Sequence, residues 1–194
     1  MAKGKYRVYD EDYLGQIVRD FEIVCTNKNI SSQAVYDMAW RVAWELTEWR
    51  GADIGCIFWT KKAFDLLKLK IISKNDSEIR YERPTNKIME ERFKGKIVHE
   101  HIVPRKLFTD YIMSCKDSGQ NPIKENFKKI ILCIVTKDED KILSNAFKSS
   151  FPEGISLDKI ADPWKRYKDS NITEILEVTW KKDYIITKPF NTQG

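Results

Sequence analysis

The sequence predicts an α+β protein with a mainly helical N-terminal part, a central strand, strand, helix unit and a small C-terminal β-hairpin. Three observations carry this expectation. Apolar residues recur at spacings of three and four over the first seventy positions, two apolar segments flank a polar loop in the middle, and two alternating segments stand near the end. A chain of 194 residues fits one domain, or one domain with a small appendage. The organisation read from these patterns is a helical region over 1–84, the central unit over 85–148 and an extension over 149–194 packed on the same domain.

In order along the chain, Tyr13, Leu14, Ile17, Val18, Phe21 and Val24 form one apolar stripe and predict a first helix. A second opens at the capping residues Ser31 and Ser32, runs through Ala34, Val35, Met38, Ala39, Val42, Ala43 and Leu46, and stops at Gly51. Its Trp40, Trp44 and Trp49 read as packing residues. A third helix is expected from Thr60 through Ala63, Phe64, Leu66, Leu67, Leu69 and Ile71. Beyond Pro84 come a short helix over 87–92 and a strand over 96–101. Alternation in that strand puts Ile97, His99 and His101 on one face, with Val98, Glu100 and Ile102 on the other. Pro104 opens a further helix, residues 117–122 are a loop by composition, and residues 129–135 predict a second strand. Thr136 and Glu139 have the spacing of a capping box for a helix over 137–143. A short helix over 164–168 and a hairpin of 175–180 with 184–187 complete the chain.

Composition narrows the functional classes. Hydrophobic residues make up 42% and charged residues 32%, too apolar for disorder, and no apolar run approaches the ~18 residues of a membrane span. The basic N-terminus leads into Asp10-Glu11-Asp12 rather than an apolar stretch, so no signal peptide is read and a cytoplasmic chain without membrane contact is expected. Cys25, Cys56, Cys115 and Cys133 form no C-x-x-C pair, which argues for reduced, mostly buried thiols. The net charge of +5 is unevenly spread: residues 61–106 hold thirteen Lys/Arg against seven acids. Such a stretch suits a polyanionic partner, because lysine and arginine neutralise phosphates and displace counterions. The alternative is a solvated helix face.

Both histidines of the chain sit in His99-Glu100-His101, directly before Ile102-Val103-Pro104-Arg105. Imidazole exchanges protons near neutrality and binds metals when neutral, so this concentration marks a candidate site. The competing reading is that both rings fill a rim or donate to backbone. A hydrolase acting on phosphodiesters needs a base with suitable proton affinity, and a hard cation held by carboxylates to offset developing charge.

Glu100-His101-Ile102-Val103-Pro104, followed by a strand and an acid-rich helix start, resembles the Asp/Glu-His-x-x-Pro motif of the HNH, or His-Me finger, endonucleases with their ββα-metal core. The resemblance covers roughly 96–145. It implies a central ββα-metal module in which His101 is the general base, Glu100 a ligand of a divalent cation, Mg2+ before zinc, and Asp140 the second ligand. Asp138 and Glu139 read as helix-terminal acids. His99 takes a supporting role, Arg105 and Lys106 could clamp a phosphate, and Lys94 and Lys96 would track the DNA backbone. The middle Asn of the motif falls near Ile131, a departure from the family pattern, and the cysteine knuckles of some members are absent.

The function implied is magnesium-dependent hydrolysis of DNA. The rivals are a catalytically inactive nucleic-acid-binding protein on the same scaffold, an inhibitor or accessory protein using the tryptophan-bearing helix, and a zinc site built from His99, His101 and a carboxylate. Sequence preference, DNA against RNA, and oligomeric state, a homodimer included, are left open.

Overall fold

The computed structural model describes residues 11–49, 57–120, 126, 129–147 and 150–192. Gly51, Cys56, and Asn121 and Pro122 of the expected loop lie outside the described residues, as do the side chains of Trp44 and Trp49. Among the described residues seven α-helices surround a seven-stranded mixed sheet. They are α1 (Glu11–Thr26), α2 (Ser32–Trp49), α3 (Lys61–Asp65), α4 (Asn86–Phe93), α5 (Arg105–Ser118), α6 (Lys137–Phe147) and α7 (Lys165–Asp169). The strands are β1 (Phe58–Thr60), β2 (Ile71–Lys74), β3 (Ile79–Glu82), β4 (Ile97–His101), β5 (Leu132–Thr136), β6 (Ile175–Trp180) and β7 (Tyr184–Phe190). The fold is therefore α+β, and no described helix is long and apolar enough to cross a membrane.

The sheet order is β2-β3-β7-β6-β1-β5-β4, with β4 at one edge. Among the described residues only the β1–β5 pair is parallel. Three apolar clusters hold the layers. On one face Trp59, Leu132, Ile134, Val178 and Ile185 pack against Ala63, Phe64 and Leu67 near α3 and Met89 and Phe93 of α4. On the other, Cys133, Val135, Ile102 and Ile175 meet Leu143 of α6 and Trp164 and Tyr167 around α7. The third cluster joins α1, α2 and α5 through Val18, Phe21, Val35, Ala39, Phe108 and Ile112, and Val103 and Ile130 connect it to the ends of β4 and β5. Cys25, Cys115 and Cys133 are buried free thiols, and burial raises Cys25 to a pKa of about 12.

Two expectations are corrected here. The region 1–84 is not helical throughout: α3 ends at Asp65, Lys68 adopts φ 47°, and the chain continues as the β2–β3 hairpin. Its apolar spacing is real, because Ala63, Phe64 and Leu67 are all fully buried, but it spans one turn and a loop. The C-terminal hairpin forms as expected, and it is built into the body of the sheet. β6 pairs with β1 and β7 pairs with β3, so residues 175–190 occupy the middle of the sheet. A smaller shift concerns the second central strand, which starts at Leu132. Before it, Ile130 packs with the helical cluster and the Lys129 ammonium donates to the carbonyls of Leu157 and Asp158.

The capping box is present at α6. Thr136 N–H donates to Glu139 Oε2 at 2.9 Å, and Glu139 N–H donates to Thr136 Oγ1 at 3.2 Å. Thr60 ties the same carboxylate to α3: its hydroxyl donates to Glu139 Oε2 at 2.7 Å and accepts from Ala63 N–H at 3.2 Å. Glu139 is 3% exposed, so its removal strands a buried hydroxyl as well as the cap. Glu139→Ala should lower stability by about 1–3 kcal/mol in urea unfolding, with Glu139→Gln recovering part of it. An unchanged midpoint would show that water satisfies these groups.

Candidate functional site

The residues singled out from the sequence lie along β4 and at the helix termini beside it. β4 is antiparallel to β5, with His99 opposite Ile134, Glu100 opposite Cys133 and His101 opposite Leu132. The chain leaves β5 directly into α6. Pairing persists one step past His101, where Ile102 N–H donates to Ile131 O at 2.9 Å, and the chain then bends into Pro104 and α5.

Glu100 and Asp140 lie on the same side of the sheet, near enough for their charges to interact. Alternation turns Glu100 toward the side on which α6 packs, and the negative charge of half-buried Asp140 on the first turns of α6 reaches it. Burial raises the Glu100 carboxyl above the usual range, Arg166 opposes this by charge and hydrogen bonding, and Asp140 adds to the rise. Two carboxylates sharing one partly buried region are a hard-oxygen donor set of the kind that holds magnesium, which takes one or two carboxylates and keeps several waters. The residues present offer such a cation two carboxylates, one of them already held by Arg166. Among the described residues no group of three or more His, Cys, Asp or Glu converges in a metal-holding arrangement.

Arg166 is the residue that sequence reasoning missed. It projects from α7 into the protein with 1% of its surface exposed. Its Nη1 donates to Glu100 Oε1 at 3.1 Å, to the carbonyl of His101 at 3.1 Å and to that of Ile102 at 3.4 Å. A guanidinium that clasps both the acid and the carbonyls after it fixes the end of β4 in place. Nothing in Lys165-Arg166-Tyr167-Lys168-Asp169 separates this arginine from its charged neighbours, and its partner lies 66 positions away.

His101 and His99 point to the opposite face from Glu100, so the structure does not gather both imidazoles and that carboxylate around one point. His99 is exposed. His101 is half-buried, and its Nε2 is buried with no hydrogen-bond partner among the described residues. Burial first, then the positive charges of Arg105 and Arg166, then His99, hold its pKa down at about 3. It is thus a neutral imidazole throughout the physiological range. Among the described residues β4 is an edge strand, with His101 on one of its faces and Glu100 on the other.

The basic residues divide between the two ends of β4. Lys94 and Lys96 stand exposed before it. Arg105 and Lys106 open α5 beyond it. Arg105 lies 4.3 Å from the centroid of the Trp40 ring, a cation–π contact. Trp40 is 39% exposed, which corrects its reading as a packing residue.

Comparison with protein-family models, with curated proteins and with solved structures finds no match to the chain.

Proposed function

We infer that the chain is a magnesium-dependent endonuclease that hydrolyses phosphodiester bonds of DNA with His101 as general base. The observation that supports this reading is that the charge of Asp140 on α6 reaches the Glu100 carboxyl, one residue from the imidazole that the motif designates. A magnesium ion bound by the two carboxylates would offset charge on the phosphate and the leaving oxygen. Arg166 holds the Glu100 carboxylate in one orientation and pins the backbone of His101. Arg105, at the start of α5 just beyond β4, would meet an incoming phosphate. His101 Nε2, buried and with no hydrogen-bond partner among the described residues, is the acceptor for a proton from the attacking water once substrate opens the site. Its depressed basicity arises partly from Arg105 and Arg166, and a bound phosphate would offset these charges and raise the proton affinity of the ring. Cleavage of plasmid DNA on adding magnesium, lost on adding EDTA, is the direct test.

If Glu100 and Asp140 share the cation, Asp140→Ala should shift the magnesium dependence of the rate to higher concentration, and added magnesium should rescue that single variant but not the Glu100/Asp140 double variant. His99→Ala should show a smaller defect than His101→Ala. An Asp140→Ala enzyme with an unaltered magnesium titration, and stability lower by the ~0.3–1 kcal/mol of a helix-terminal acid, assigns Asp140 to the helix instead.

The orientation of His101 away from Glu100, with Ile131 in place of the middle Asn, favours one second reading: a nucleic-acid-binding protein without catalysis. Binding of DNA with no cleavage under any divalent metal distinguishes it.

A further inference from the structure

At the other end of β4 from His101, a cavity of about 560 Å³ opens between α3 and α6. Its position follows from topology. β1 and β5 are adjacent and parallel, α3 follows β1 and α6 follows β5, but the helices leave to opposite faces of the sheet. Where neighbouring connections diverge in this way, a crevice forms beyond the carboxyl ends of the strands, the place where open α/β sheets receive ligands.

Four lysines from three elements line this crevice: Lys62 of α3, Lys96 just before β4, and Lys137 and Lys141 of α6. Backbone geometry places two of them side by side, since Lys137 N–H donates to Lys96 O at 2.9 Å. Gly95 turns the chain there with φ +69°, and a Cβ on it would stand 3.9 Å from Lys137 Nζ. The two acids in the wall leave the four lysines in excess. Glu139 is committed to Thr60 and Thr136, and Asp138 has a 91% exposed side chain reaching only Lys141, at 3.9 Å. Among the described residues Lys62, Lys96 and Lys137 have no ion-pair partner. A cleft lined mainly by one sign of charge concentrates ions of the other.

We propose that this crevice is a phosphate-binding subsite that grips the backbone of the nucleic acid at a distance from the cleavage point, an inference that rests on the nuclease reading for the identity of its ligand. Lys96 and His101 are separated by the length of β4, roughly 17 Å at ~3.3 Å per residue. At a rise of ~3.4 Å per nucleotide, the gripped phosphate lies about five nucleotides from the one that is cut. The same chemistry would accept the phosphates of a small ligand.

The test is equilibrium binding in EDTA, where catalysis plays no part. A labelled DNA duplex and pyrophosphate are each titrated against the wild type, the Lys62→Gln/Lys96→Gln/Lys137→Gln variant, and a control with the same charge loss at exposed Lys181, Lys182 and Lys188. The slope of log affinity against log salt should fall by about 0.9 for each lysine that meets a phosphate. It should change less in the control, and pyrophosphate should compete with DNA for the wild type. The single substitutions, read the same way, serve if the triple variant does not fold.

Pyrophosphate binding that is lost in the triple variant, with no DNA binding by the wild type, would keep the subsite for a small phosphorylated ligand and remove the nuclease reading. DNA cleavage by a wild type whose salt slope the triple variant shares would keep the nuclease and overturn the subsite. Binding of neither probe by the wild type overturns it as well.

Discussion

Replacing Arg166 by methionine should destabilise the chain by about 3–5 kcal/mol, the range for breaking a buried ion pair by removing one partner. The guanidinium is 1% exposed and satisfies one carboxylate and two backbone carbonyls, all of which would be left unmatched. Glu100 keeps 21% of its side-chain surface in contact with solvent, which places the loss toward the lower end. Adding Glu100→Leu to the methionine variant should restore much of the stability, because the uncompensated charge is then gone. Urea unfolding of the four chains of this double-mutant cycle gives the coupling directly. Additive losses would mean that Arg166 contributes by packing and backbone bonding rather than through Glu100.

His101→Ala should reduce DNA cleavage by roughly 10²–10⁴-fold, the usual contribution of a general base, while leaving DNA affinity nearly unchanged. Cleavage at the wild-type rate would remove His101 from the mechanism. The same residue has an acid signature in stability. The unfolded ring titrates near 6.5 and the folded one near 3, so between these values the unfolded chain binds a proton that the folded chain refuses. Its contribution is fully present above pH 6.5 and is lost as the pH falls toward 3, by at most ~1.4 kcal/mol per pH unit. His101→Gln should flatten that part of the stability curve.

What the sequence made legible was local. The Thr136/Glu139 capping box, the start of α5 after Pro104 and the turn of the β6–β7 hairpin all rest on contacts within a few residues, and each forms. β2 and β3 escaped notice because Ile71-Ile72-Ser73-Lys74 lies exposed at a sheet edge, with no buried face to impose alternation. Asn75, whose side-chain oxygen accepts from the N–H groups of Ser77 and Glu78, was the turn signal available for that hairpin. In the candidate site the motif residues could be named, and the capping box placed Asp140 at the start of α6. Arg166 could not be named, since its role depends on α7 packing against the end of β4. Nor could the cation–π contact of Arg105 with Trp40, which joins residues 65 positions apart.

The central place of the β6–β7 hairpin governs the order in which the protein can be completed on the ribosome. β1 and the β2–β3 hairpin are synthesised early, yet what joins them is a pair of strands made more than ninety residues after β3. Until those strands emerge, β1 and β3 lack these partners, and the apolar faces of Trp59 and Leu67 lack Val178 and Ile185. Pairing over such separations is slow to form and leaves strand edges open to other chains in the meantime. Nascent chains arrested before residue 175 should therefore contain the α1–α2–α5 bundle but no closed sheet, and they are the species expected to aggregate or to need a chaperone.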